Sequence, residues 1–565
     1  MDTYWARRLC SLGLVTLLTL SLACGDDASE SPGDANNDEA NNQTTDNSEP
    51  DNQEPNNSEP DNQAPNNSQP DNQQPNNSEA NNQPANNGEE PDDECDPWET
   101  IPEPVASSED DPCRPDGGWD EKALFVAPHG ESDADGTLSD PMDSISAAMA
   151  EAEEFGFQYV LVESGTYEET VELVPGVQLI GGYSTGWSYS RSMRATISEA
   201  NPALMARDID VPTRVLNMRF DPATDLADME SQSAVTAVVK DSDELILERV
   251  YIFGGRAGDG ADGEAGADGD DGAAGGDASE PDRTTTFPIC NTDDPGDVGS
   301  GGSAGCDQAG GGSGGEGARG NSGGSSGEDS EAGIFGGSGG SAESDGADGE
   351  PGQGGDDGTH GQGGTASGEF DGWEWVGENG TSGTMGQAGT GGGGGGGAGG
   401  ESTTVTCNHW GGSGGGGGAG GCAGEAGHGG THGGASVALM MLDSDVDLIE
   451  VRIEGGTGGD GGEGGAGGDG GDGGAGGEGS SGTGGDAGRG GDGGDGGVGG
   501  DGGRGGGGAG GPSFAIFSTH DLSSDLSDSL IEAGSAGRGG GPSGSSTQAE
   551  DGWEASIQIG LPDGS

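Results

Sequence analysis

LILERVYIFGGRAGDG (245–260), VDLIEVRIEGGTGGDG (446–461) and DSLIEAGSAGRGGG (528–541) are three versions of one phrase, an apolar β-rich run that passes directly into glycine. A strand phrase that recurs, each time at the mouth of a low-complexity tract, predicts one stacked scaffold from which glycine loops are extruded. Upstream of the first copy, short β-rich runs are split by turn residues at Ala123 to Ala127, Tyr159 to Glu163, Val177 to Ile180, Ala195 to Ser198, Arg214 to Arg219, Val235 to Val239 and Leu245 to Phe253. Most are spaced by roughly 16 to 20 residues, the length of one coil of a parallel β-helix. Between the first two, Asp140-Pro141 is expected to open a helix in which Ile145, Ala148, Met149 and Ala152 recur at helical spacing. A helix placed there would cover an open strand edge and prevent edge-to-edge pairing.

Downstream, glycine dominates, and two apolar islands survive: Ser436 to Glu454 and Phe514 to Glu532. Coils at 122–255, 435–454 and 513–565 would then share one spine, with insertions at 256–434 and 455–512 leaving one face as loops. In the second insertion every third residue is non-glycine from Thr457 through Asp460, Glu463 and Ala466 to Glu478, and the period resumes after a slip at Ser480-Ser481. Three residues per turn would put all those side chains on one edge and leave two bare glycine faces. Such segments can bundle through interchain hydrogen bonds; the competing reading is a floppy coil, favoured by the entropy glycine loses on ordering. GGTGGDGGE (455–463) departs from a calcium-binding nonapeptide because Gly462 stands where a large apolar residue must enter the core. In 346–364 the Gly-x-y pattern holds with Pro351 as its one proline, too few for a collagen triple helix. The GGX runs of 391–511 resemble the glycine-rich PE-PGRS surface proteins in texture alone.

FVAPHGESDADGTLSDPMDSISAAMAEA followed by YVLVESGTYEETVELVPGVQLIGGYS resembles bacterial right-handed β-helix proteins of the pectin-lyase-like superfamily. Gly165, Thr166, Tyr167 and Glu169 match the G-T-Y-x-E phrase that opens the coils in that group. The resemblance implies an all-β fold: a right-handed parallel β-helix with a short N-terminal capping helix and, in this chain, long glycine-rich loop insertions. It carries little about activity.

The first residues resemble a bacterial lipoprotein signal: Arg7-Arg8, an apolar run from Leu9 to Ala23 too short to span a membrane, then Cys24. That likeness implies cleavage after Ala23 (signal 1–23), lipid on Cys24, and placement at the outer membrane or cell surface; an ordinary secretory signal is the alternative. Residues 24–94 follow with Asn, Gln, Pro and acids in ten-residue units such as EPDNQEPNNS (49–58), a composition expected to form a disordered tether. The whole chain carries 103 acidic against 18 basic residues, a formal charge of -85. Such a polyanion excludes nucleic acid and anionic lipid surfaces as partners and favours divalent cations or basic partners.

Six cysteines remain after Cys10 and Cys24. As sequence neighbours they read as disulfides Cys95/Cys113, closing a lead-in at 95–121, and Cys290/Cys306 and Cys407/Cys422, closing two knobs within the first insertion. Bridges between the knobs are the alternative. An acidic ladder is visible before the three strand phrases, formed by Asp241 and Asp243, Asp443 and Asp445, and Asp521 and Asp525. Stacked coils would bring these carboxylates to about 4.8 Å, where a bridging cation, Ca2+, would relieve repulsion. The competing reading is that Asp and Ser favour turns. A polysaccharide lyase would need a base, for which Lys240, Arg249 and Arg452 are the coil cations; a glycosidase would need two placed carboxylates. His428 and His432, within glycine, are expected to be solvated, and Trp373 and Trp375 to cap an apolar knob. The expected role is non-catalytic, structural or adhesive, toward extracellular glycan or envelope components, with a carbohydrate-active β-helix enzyme as the alternative.

Overall fold

The computed structural model describes residues 101–104, 119–222, 225–282, 285–286, 289–290, 294–403, 408–542 and 545–561. The signal-like stretch, Cys24, the tether, Cys95, Cys113 and Cys407 lie outside the described residues, as does the Cys290 side chain.

Three six-stranded sheets, parallel throughout, carry the architecture. The first holds Ala123–Glu131, Tyr159–Glu163, Gln178–Tyr183, Thr213–Leu216, Leu245–Glu248 and Val446–Ile449. The second holds Thr166–Tyr167, Ala195–Ala200, Met218–Pro222, Tyr251–Phe253, Arg452–Glu454 and Leu530–Glu532. The third holds Val171–Glu172, Leu204–Arg207, Ala234–Lys240, Ser436–Leu442, Ser513–Ser518 and Glu554–Ile559. From Tyr159 onward the chain visits first, second and third sheet in rotation, each circuit adding one strand to each sheet. In the last circuit residues 519–529 stand in place of a first-sheet strand.

Register turns this circuit into stacked columns of like side chains. Leu124, Val160, Leu179, Val215, Leu247 and Leu448 align in the first sheet. Tyr167, Ile197, Phe220, Ile252, Ile453 and Ile531 align in the second. Val171, Leu204, Ala237, Leu439, Ile516 and Ile557 align in the third. All three columns meet in one core. Each fully buried aliphatic side chain there contributes roughly 1.5–3 kcal/mol. The first distant island therefore pairs with 234–253 and the second pairs with the first, because their apolar alternation supplies the next rung of each column.

The expected strands at Arg214 to Arg219 and Leu245 to Phe253 are each two strands, broken at Asn217 (φ 57°) and Arg249 (φ 50°). Glu450 (φ 49°) repeats the break one circuit later. These left-handed residues turn the chain from first to second sheet. Asp208, Asp241 and Asp443, at φ 48–54°, do the same between third and first.

The helix spans Ile145–Phe155, starting later than Asp140-Pro141. Met142 is drawn into bridges with Val126 and Glu131, which keeps the preceding residues extended, and Ser144 caps the first turn through Ala147 N–H. Glu169 completes the cap: its carboxylate accepts from Ile145 N (2.8 Å), Ser146 N (3.0 Å) and Ser144 Oγ (2.8 Å). An anion at a helix N-terminus satisfies donors that have no partner within the helix. The helix buries Ile145, Ala148, Met149 and Ala152 against the start of the core.

All three glycine excursions leave from one corner, between second and third sheets: after Phe253, after Glu454 and after Glu532. They do not wander. Their extended segments run alongside each other and form a lattice in which backbone N–H groups donate to neighbouring segments every third residue. Residues 411–422 show the pattern: Gly415 N donates to Gly491 O (3.0 Å), Gly416 N to Gly276 O (2.9 Å) and Gly417 N to Gly312 O (2.8 Å). Three successive residues thus point at three different neighbours. A three-residue repeat makes no internal hydrogen bonds, so its backbone must be satisfied by such neighbours.

Glycine content reads out the number of covered faces. In 391–397 all residues are glycine and all are buried, and a Cβ at Gly394, Gly395 or Gly396 would lie 2.0, 2.1 or 2.3 Å from the carbonyls of Ser313, Gly491 and Ser338. The GGX segment 457–478 has two covered faces; Cβ atoms at Gly461 and Gly462 would meet Gly508 O and Ala261 O at 1.9 Å, while Glu463 is exposed. In 346–364, with glycine mostly every third residue, Gly349 abuts Gly393 O while Glu350 and Pro351 face out.

Candidate functional site

The expected acidic ladder sits where the third sheet turns into the first. Asp241 N donates to Leu442 O (3.0 Å) and Asp443 N to Thr519 Oγ1 (2.8 Å). Between the acids, buried Ser242 and Ser444 form a second column, with Ile209 N donating to Ser242 Oγ (3.1 Å) and Ser242 N to Ser444 Oγ (3.0 Å). A third column links Asp243 Oδ1, which accepts from Asp445 N (3.1 Å), to Asp445 Oδ1, which accepts from Ser523 Oγ (2.7 Å). Two steps of the ladder are therefore brought together. At the third, Thr519 and Ser523 bond to the column, while Asp521 is exposed and Asp525 holds a local turn through Ser527 N (3.0 Å). Lys240 Nζ lies 4.0 Å from Asp241, and His520 Nδ1 3.8 Å from Asp443. Among the described residues, no three His, Cys, Asp or Glu side chains converge as metal ligands.

A second acidic arrangement was not anticipated from composition. Asp259, Asp262, Asp268, Asp271 and Asp277 each accept through Oδ1 the backbone N–H of Asp460, Glu463, Asp469, Asp472 and Glu478 in turn, at 2.8–2.9 Å. Asp345, Asp348 and Asp357 do the same for Arg489, Asp492 and Asp501 at 2.7–3.0 Å. Each of the first five aspartates stands one residue before a residue whose N–H donates to the same outward-facing position of the GGX segment, Gly260, Gly263, Gly269, Gly272 and Ala278 in turn, so its carboxylate reaches that position's N–H. The three-residue spacing of those aspartates, with alanine at 265 and 274, is the signal that could have identified them. Asp492 belongs to this edge too. Burial raises its carboxyl pKa, but Gly479 N–H and Arg489 outweigh that and hold it below the ordinary value.

The cysteine pairing differs from the neighbour scheme: Cys306 bonds Cys422, across 116 residues of sequence and 5.7 Å between Cα atoms. The lattice decides this, because 296–303 and 309–318 both lie against 411–420, and the break between them places Cys306 beside Cys422. Cys290/Cys306 and Cys407/Cys422 closures are therefore excluded. Short hairpins do occur at the expected knobs, Thr285–Thr286 with Ile289–Cys290 and Glu401–Ser402 with Asn408–His409.

Trp375 is buried against Trp553 and Phe370, in an apolar cluster with Val437, Phe514 and Phe517 on the outer side of the third sheet. The hairpin Gly368–Asp371 and Glu374–Gly377 thus folds back from the lattice to cover the spine. His428 is exposed, whereas His432 is half-buried, its backbone N–H donating to Asn379 Oδ1 (2.9 Å) and its ring Nδ1 lying 3.1 Å from Gly433 O. Of the coil cations, Arg249 is buried and bonded to Glu248 and Tyr189, and Arg452 pairs with Glu454. Compared with protein-family models, curated proteins and solved structures, the chain finds no match.

Proposed function

We propose that this chain is a lipid-anchored, surface-displayed structural or adhesive protein without catalytic activity. Its three-sheet circuit is read as a right-handed parallel β-helix capped by the helix Ile145–Phe155, lifted from the membrane by the Asn/Gln/Pro-rich tether. One observation carries the reading: glycine tracts that a linker would leave loose are condensed into a hydrogen-bonded lattice whose non-glycine side chains stand in outward rows. Three residues of such a segment advance about 9.3 Å, so the rows repeat on a fixed period suited to multivalent contact with glycan or envelope polymer. Ca2+ assistance is part of the proposal, through the stacked pairs Asp241/Asp443 and Asp243/Asp445, since a divalent ion would relieve their mutual repulsion.

The test is a glycan array of the full chain with and without Ca2+, run beside a uronate-lyase assay and membrane fractionation of Cys24→Ala. Calcium-dependent retention without product release, and loss of Cys24→Ala from membranes, supports the proposal. Turnover in the lyase assay overturns the non-catalytic reading. A thermal transition indifferent to Ca2+ removes the cation from it.

A further inference from the structure

Where spine, hairpin and lattice meet, Met229, Glu230, Ser231, Gln232, Glu374, Trp375 and His432 line a cleft of about 460 Å3. Three segments distant in sequence build it, and each is pinned by hydrogen bonds. Ser231 N donates to Asp259 O (3.0 Å), Ser231 Oγ to His432 O (2.5 Å), and Gly258 N to Gln232 O (2.8 Å). Ser233 N fixes the Glu374 carboxylate (3.0 Å), and Trp375 N returns to Ser233 Oγ (2.8 Å). The walls are therefore set before any ligand arrives.

Their chemistry is asymmetric. Two carboxylates, Glu230 and Glu374, and no lysine or arginine line the cleft. The apolar residues of the lining are Met229, 56% exposed, and the buried Trp375. An apolar wall beside carboxylates matches a side chain with an alkyl stem and a cationic head. At -85 the chain's field draws basic partners from a distance, but a field alone selects no site.

We propose that this cleft receives a lysine or arginine side chain of a basic partner protein. The cationic head lies between Glu230 and Glu374, and the stem lies along Met229 and the edge of Trp375. The inference does not rest on the lipid anchor, on Ca2+ or on glycan adhesion.

Calorimetry of the full chain at 0.15 M salt, with Nα-acetyl-lysine methylamide and its arginine counterpart as probes, tests it. One saturable site is expected for at least one probe. Its affinity should fall at least tenfold in Glu374→Gln, which keeps an acceptor for Ser233 N–H, and in Met229→Lys, which places an ammonium of its own at an exposed position. Glu153→Gln, exposed on the helix Ile145–Phe155, should leave it unchanged. Absence of a saturable site, equal affinity for Nα-acetyl-norleucine methylamide, or unchanged binding in both cleft variants overturns the proposal.

Discussion

At the residue scale the lattice converts the absence of a side chain into a packing requirement. Gly395 sits with its Cα close to Gly491 O, so an added methyl has nowhere to go. Overpacking of this kind costs typically 1–3 kcal/mol. Gly395→Ala should lose about that amount in chemical denaturation, whereas Glu463→Ala, on an outward row, should change stability by less than about 0.5 kcal/mol. The edge aspartates make a complementary prediction. Because the Asp492 pKa is depressed in the folded chain, its contribution is complete above the unfolded value, about 3.9, and is lost as pH falls through the lower folded value. The stability gap between the native chain and Asp492→Ala should be flat from pH 5 to 8 and close below pH 4.

At the element scale, the phrase Gly165-Thr166-Tyr167-Glu168-Glu169 shows how local sequence is committed to tertiary contacts. Tyr167 enters a core column, its hydroxyl donates to Glu163 O (2.9 Å), and Glu169 caps a helix that precedes it in the chain. Burial pushes the Tyr167 phenol well above its usual pKa, with Glu163 and Glu169 adding to the effect, so it stays a neutral donor. The strand phrases and the helix were legible because apolar periodicity reports burial directly. The corners were less so: nothing in Arg249 or Glu450 announces a left-handed backbone, which the stack imposes beneath Asn217. The disulfide belongs to the same class. Peptide mapping should recover Cys306 linked to Cys422, and Cys422→Ser should lower stability by up to about 4–5 kcal/mol, the chain-entropy value for a loop of roughly 100 residues.

At the scale of the whole described region, the spine hands its register on to the lattice. Each excursion begins and ends on adjacent sheets of one circuit, so spine register sets the register of the glycine segments. The parallel offset of the 257–278 and 457–478 segments follows directly from the pairing of Tyr251–Phe253 with Arg452–Glu454. Amide exchange should therefore find Gly415–Gly417 protected comparably to Leu439 and Ile516. Lattice glycines that exchange at free-peptide rates while the strands stay protected would show that the lattice does not form.

The stacked parallel spine, its apolar columns and the three-residue period of the glycine tracts were legible in the chain alone, because periodicity and volume are written residue by residue. The chain also marked Asp241/Asp443 and Asp243/Asp445 as stackable, since repeated phrases fall in register. Which segments neighbour which, the meeting of Cys306 with Cys422, and the sharing of one cleft by Glu230, Glu374 and His432 emerge from the folded chain. Polyglycine carries no side-chain code for its partners; its neighbours are chosen by where the spine releases and recaptures the chain.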